Sequence, residues 1–150
     1  MKPKWMEIAE GEIGQHEVKG GENPRILEYH AATTLEARED EIPWCSSFVN
    51  WCFQQAGIEG TRSAAAISWT KWGEMLATPR EGCVVVIRQR FKGGDGKTGS
   101  ASGNHVAFFK GLENGAISLL GGNQGDSVKV SNFRLASYQV LAYRWPKETA

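Results

Sequence analysis

No apolar run in the 150 residues approaches the ~20 that a membrane-spanning helix needs, so no membrane insertion is expected. Met1-Lys2-Pro3-Lys4-Trp5-Met6-Glu7 lacks the apolar core of a secretory signal, so synthesis in the cytoplasm without a removable leader is expected. There is no net charge: 17 basic residues balance 17 acidic ones. That balance argues against nucleic acid as a partner, because such proteins hold many phosphates at once. Cysteine is scarce and odd in number, three in all. Complete disulfide pairing is therefore excluded, and a reducing compartment at synthesis fits. The histidines and cysteines are scattered without zinc-site spacing, and no Gly-Lys-Ser/Thr follows the glycines around Gly121. No metal or cofactor is expected. No repeat and no linker divides the chain, so residues 1–150 read as one domain with a real core, and a monomer is expected.

What is present centres on one cysteine. Cys45 lies in Ile42-Pro43-Trp44-Cys45-Ser46-Ser47-Phe48-Val49-Asn50-Trp51-Cys52. Pro43 suits a helix start, having no N–H to leave unpaired. Phe48, Val49, Cys52 and Phe53 then recur at helical spacing. Gly57 followed by Ile58 is a helix-stop signal. Cys45 is thus expected in the first turn of a buried helix, where free N–H groups and the helix dipole favour a thiolate. Such a cysteine is a candidate nucleophile. Cys52 and Cys83 fall within apolar runs and read as core.

A nucleophile needs a base. His16 and His30 sit in segments that read as surface or structural. His105 follows the Gly/Ser-rich stretch 93–103 and opens the apolar run Val106-Ala107-Phe108-Phe109. That run and Ile117-Ser118-Leu119-Leu120 flank Glu113-Asn114-Gly115, a hairpin signal. The start of the first strand then lies beside the end of the second. His105 and Asn123 therefore come to one end of the hairpin, and Asn123 is the candidate to hold the imidazole. Gly-Asn-Gln-Gly is also ordinary turn chemistry.

The rest of the chain divides into a helical half and a strand-rich half. Helices are expected over Lys4–Ile13, Asn23–Thr33 and, capped by Ser63, Ala64–Leu76. Strands are expected over Cys83–Ile87, the hairpin, Ser127–Val130 and Val140–Trp145. Helices first and an antiparallel sheet afterwards is an α+β pattern, with the nucleophile helix packed on the sheet. Trp51, Trp69 and Trp72 read as core. Trp44, beside the nucleophile, is expected to line a substrate groove. Arg88, Arg90, Lys92 and Lys97 make a basic edge near His105 that would suit acidic peptides or simply solvent.

A helix-opening Cys, a strand-opening His and a Gly-Asn on the next strand resemble the CHAP family of cysteine, histidine-dependent amidohydrolases and peptidases, within the papain-like group. The segments Asn23–Tyr29, Pro43–Cys52 and Gly121–Gln124 resemble, more narrowly, small phage and bacterial cell-wall hydrolases. The resemblance implies a papain-like fold and a peptidoglycan hydrolase of the endolysin kind, an antimicrobial cutting a muramoyl–alanine amide or a stem or cross-bridge peptide bond. It implies Cys45, His105 and Asn123 as the catalytic residues. Tyr29 is the expected second oxyanion donor, and Asp40, Glu41, Trp44 and Gln124 are expected to touch substrate. Many CHAP domains carry Glu-Gly-Asn where this chain has Gly121-Gly122-Asn123, so a Cys/His/Asn triad is the most that carries over. The implied partner is peptidoglycan, reached through a lysis pore or an injection apparatus, with an immunity protein if the chain is an injected toxin. Two other readings stand beside it: a catalytically silent wall-binding or scaffold domain, and a cysteine hydrolase of proteins.

Overall fold

The computed structural model describes residues 2–18, 23–33, 44–100 and 102–147. Three helices precede the sheet: α1 (Lys4–Gly11), α2 (Pro24–Ala31) and α3 (Cys45–Gln55). Each boundary has a local cause. The Asn23 side chain accepts from Arg25 N–H at 2.9 Å, and Pro24 occupies the first helical position of α2. At the end of α3, Gly57 takes φ +77°, Gly57 N–H bonds Gln54 O at 3.1 Å and Ile58 N–H bonds Phe53 O at 2.8 Å. This is a Schellman stop, as the Gly57-Ile58 pair predicts.

Six strands follow: β1 (Glu74–Met75), β2 (Val84–Gln89), β3 (Asn104–Glu113), β4 (Ala116–Gln124), β5 (Ser127–Arg134) and β6 (Tyr138–Trp145). They form one sheet in the order β1-β6-β2-β3-β4-β5, and every pairing is antiparallel. The protein is therefore α+β, as the sequence pattern predicts. The β3–β4 hairpin turns at Asn114 and Gly115, both with positive φ, +52° and +75°. Two consecutive left-handed residues match the right-handed twist of the strands, which is why Asn-Gly is such a strong hairpin signal.

One expected helix is absent. Over 64–76 there is a short 3₁₀ segment, Ala66–Lys71, followed by the two-residue strand β1 on the sheet edge. Gly73 breaks the run: it has φ +62°, and a Cβ there would lie 2.2 Å from Trp145 O. The chain must turn at Gly73 to lie against β6, and the tryptophan spacing that looked helical places Trp69 in the core instead.

Side chains alternate across the sheet. Val84, Val86, Val106, Phe108, Leu120 and Val128 face the helices and pack with Phe48, Phe53, Cys52 and Trp69. Val85, Ile87, Ala107, Phe109, Ile117 and Leu119 face the other way, with Phe133 and Tyr138. Phe133 belongs to β5 and Tyr138 to β6, three strands apart in between, yet their rings meet at 5.1 Å. The sheet is strongly curled, and its ends close over its own second face. That explains why residues 84–87 of β2 are buried on both sides and form an unbroken β-branched run.

Candidate active site

Cys45 is the first residue of α3, with Trp44 as its N-cap, and is 6% exposed. Burial pushes its thiol up; the backbone N–H groups of Val106, Ser46 and Cys45 itself pull it down. The Val106 contact locates the sulfur. Gln89 N–H bonds Gly103 O and Phe109 N–H bonds Cys83 O, so the odd-numbered residues of β3 bond β2 and Val106 N–H points toward β4. On that side the β3–β4 ladder runs only from Glu113↔Ala116 to Phe108↔Leu120. Beyond it β4 bulges between Gly121 and Gln124, with Asn123 at φ +58°. The ladder ends there, and the Val106 amide lies close enough to the Cys45 sulfur to lower its pKa.

His105 is the residue before. It is fully buried, and its ring lies on the second face of the sheet, 5.6 Å from the Phe133 ring. Its Nε2 is 3.0 Å from Gln124 Oε1. The Gln124 amide cannot be turned round. Its Nε2 donates to Leu119 O at 3.1 Å and Lys129 O at 2.8 Å, so oxygen must face the imidazole. Nε2 of His105 therefore carries the proton, and Nδ1 is the basic nitrogen. Nδ1 is buried and has no hydrogen-bond partner among the described residues. Burial lowers the His105 pKa to about 4, while the Gln124 bond and the charge of Asp95 oppose that shift. Burial thus disfavours the charged form of both groups, and no hydrogen bond joins Cys45 to His105.

Gln124, not Asn123, thus makes the bond expected of Asn123. The bulge is the reason. It adds a residue to β4, so Gln124 rather than Asn123 shares the face of His105. Asn123 is also buried, but its Oδ1 has no partner among the described residues, and a Cβ on Gly99 would lie 2.8 Å from its Nδ2. Gly99 therefore packs directly on Asn123. The Gly121 position is explained as well. A Cβ there would meet Gln124 Oε1 at 2.6 Å and the Ala107 Cβ at 2.7 Å. Gly121 must be bare so that Gln124 can lie beside His105.

Two expected substrate contacts lie in the core instead. Trp44 is fully buried, donates to Glu17 Oε1 at 2.6 Å and packs over Gly122, where a Cβ would lie 2.6 Å from the indole. Tyr29 is fully buried, stacks on Trp44 at 5.7 Å and donates its hydroxyl to Glu12 Oε1 at 2.7 Å. Burial and the Glu12 bond drive its pKa up. Its hydroxyl is already donated to Glu12. Gln124, also expected at substrate, is fully buried against His105. Asp40 and Glu41 lie outside the described residues.

The remaining candidates fall where their dull readings put them. Cys52 and Cys83 are fully buried; burial raises both thiols, Cys83 to about 11. His30 is buried with Nδ1 2.9 Å from Ser47 Oγ, and His16 is on the surface near Gly14 O. Among the described residues no three His, Cys, Asp or Glu side chains are placed to hold a metal, and no helix is long and apolar enough to cross a membrane.

The arrangement is a helix-start thiol at the amide beside a strand histidine whose free nitrogen is basic. That is the equipment for nucleophilic acyl transfer. A comparison with curated proteins finds no match. A comparison with family models matches the CHAP domain over residues 37–123, a span that holds Cys45, His105 and Asn123 and stops one residue before Gln124. The match covers more than half of the chain, which therefore belongs to the CHAP family, the cysteine- and histidine-dependent amidohydrolases and peptidases.

Proposed function

We propose that the protein hydrolyses an amide bond of peptidoglycan, with Cys45 as nucleophile, His105 as base and Gln124 as the residue that holds the base. One observation carries the mechanism: both Gln124 amide hydrogens are spent on carbonyls, so His105 keeps its proton on Nε2 and offers Nδ1. The Cys45 thiol, on the helix face, gives its proton to Nδ1 of His105, on the second face, through the opening that the β4 bulge leaves beside Val106. The thiolate attacks the amide carbonyl, and the tetrahedral oxyanion is met by the backbone N–H of Cys45 at the start of α3. The imidazolium returns the proton to the leaving amine, and a thioester remains on Cys45. Water, deprotonated by Nδ1, then releases the acid. Nε2–H stays on Gln124 throughout, as the orienting bond in a papain-like site does.

Peptidoglycan as substrate is supported by the family, whose members commonly act on it, and by the likeness of the Asn23, Pro43 and Gly121 segments to small cell-wall hydrolases. The scissile bond is either the muramoyl–alanine amide or a peptide bond in the stem or cross-bridge. Action is at the cell wall, reached through a lysis pore or by injection. Mass spectrometry of digested, purified peptidoglycan tests this reading. A muramoyl acid paired with a free alanine amine identifies an amidase, and a split stem or bridge identifies an endopeptidase. Intact muropeptides from an active, folded preparation would remove peptidoglycan as the substrate.

A further inference from the structure

Asp95 is a buried carboxylate that the reaction above does not use. It lies in the connection between β2 and β3 and is only 6% exposed. Its Oδ2 accepts from Tyr138 Oη at 2.8 Å and Thr98 Oγ1 at 3.2 Å, and its Oδ1 accepts from Lys97 N–H at 3.0 Å. All three donors are neutral. Among the described residues Asp95 makes no ion pair. Its burial is met by hydrogen bonds alone, with no cation beside it.

Its surroundings indicate which cation it awaits. The Tyr138 ring, whose hydroxyl holds Asp95, stands edge-on to Phe133 at 5.1 Å, and Phe133 lies on the His105 ring at 5.6 Å. Asp95 and His105 thus border one aromatic compartment on the second face of the sheet. The other groups facing that compartment do not supply an anion. Gln124 on β4 is neutral. Lys97 Nζ sits over the Phe133 ring at 4.6 Å and donates to Asn132 O. Arg88 on β2 is exposed and turned to Asn104 Oδ1 at 2.8 Å. Cys45 comes from the helix side and is neutral until it loses its proton. Gly121 leaves β4 without a carboxylate.

We propose that Asp95 is a positioning residue for this reaction: the buried counter-charge that stabilises the His105 imidazolium after Cys45 has given up its proton. The inference rests on the Cys45/His105 reading. The charge Asp95 offers is long-range, because its nearest bonds go to Tyr138, Thr98 and Lys97. It acts in a site shielded from water, where such charges are felt most.

The rate of Cys45 alkylation by iodoacetamide in the intact protein, followed from about pH 5 to pH 10, reads the ion pair without any substrate. Below about pH 8 the reactive thiolate exists only as a partner of the imidazolium; at high pH it forms alone. Asp95→Asn keeps the size and the acceptor oxygen but removes the charge. Its rate near pH 6.5 should fall about tenfold, which corresponds to about one pKa unit, and should rejoin the parent rate at about pH 10. Tyr138→Phe, which frees the carboxylate from one donor, should show a smaller loss of the same shape, and it decides the matter if Asp95→Asn does not fold. Superimposed profiles overturn the proposal, and so does a loss equal at every pH, which marks a merely structural role. His105→Ala separates the two levels. If it removes the low-pH reactivity while Asp95→Asn does not, only Asp95 is withdrawn. If it changes nothing, the Cys45/His105 reading itself has failed.

Discussion

Replacing Gln124 with Ala removes three hydrogen bonds at once: Oε1 to His105 Nε2 at 3.0 Å, and Nε2 to Leu119 O and Lys129 O at 3.1 and 2.8 Å. Two effects follow, and they are measured separately. Stability should fall by about 2–4 kcal/mol, because a fully buried side chain is lost and Leu119 O and Lys129 O are left without a buried donor. Activity should fall about 10–100-fold, or about 1.4–2.7 kcal/mol of barrier, the usual cost of losing a residue that orients a functional histidine. The activity loss has a specific cause. Without Gln124 the ring can carry its proton on Nδ1, the nitrogen that must receive the Cys45 proton. Turbidity loss of a peptidoglycan suspension measures the rate, and a thermal melt with circular dichroism keeps the comparison within the folded range. Nitrogen-15 shifts of the His105 ring report the tautomer directly. Asn123→Ala, one residue away, should cost less, since Asn123 makes no bond to His105. Full activity in Gln124→Ala with a large loss in Asn123→Ala would refute the reasoning and restore Asn123 as the orienting residue.

Alkylation at neutral pH should modify Cys45 first and leave Cys52 and Cys83 untouched until the protein unfolds, because three backbone amides offset the burial of the Cys45 thiol, against one for Cys83 and none for Cys52; peptide mapping with all three equally slow would contradict this. Tyr29→Phe should keep wall-hydrolysing activity within about twofold while lowering stability by about 1–2 kcal/mol, since its hydroxyl serves Glu12 rather than the reaction. His105 also predicts a pH dependence of stability. Its folded pKa, about 4, lies below the ordinary histidine value of 6.5, so the unfolded chain binds more protons in between and stability falls as pH drops from about 6.5 toward 4. The contribution is of order 3 kcal/mol at most; denaturant melts of His105→Gln should show a shallower loss over that window, and parallel pH curves would contradict the assignment.

The legible parts of the sequence were those where a local rule and the tertiary fold agree. The Asn23-Pro24 start, the Gly57-Ile58 stop and the Asn114-Gly115 turn each need one backbone conformation, and few residues supply it. The β-branched run 84–87 is a doubly buried stretch of β2 because the sheet curls over itself. Cys45 and His105 stood out because one opens a helix and the other lies at the start of an apolar strand run. Other features depended on long-range packing. Trp44 looked like a groove residue because of its neighbour, but bare Gly122 lets it enter the core. Tyr29 carries a hydroxyl that only the fold commits to Glu12. The exchange of Asn123 for Gln124 turns on a single bulge residue, which reverses the alternation of faces at the end of β4. The positive φ of Asn123, a residue type that tolerates it, and the two glycines before it were the available signals of that bulge. Gly73 gave a similar signal for the end of the 3₁₀ segment, beneath a tryptophan pattern that mimicked a helix.

If the Cys45 sulfur attacks an amide of the cell wall, new free amines released from purified peptidoglycan, counted for the parent protein and for folded Cys45→Ala, should rise steadily with the parent and not above background with Cys45→Ala. An equal rise with Cys45→Ala would contradict it, whatever the geometry of His105 and Gln124.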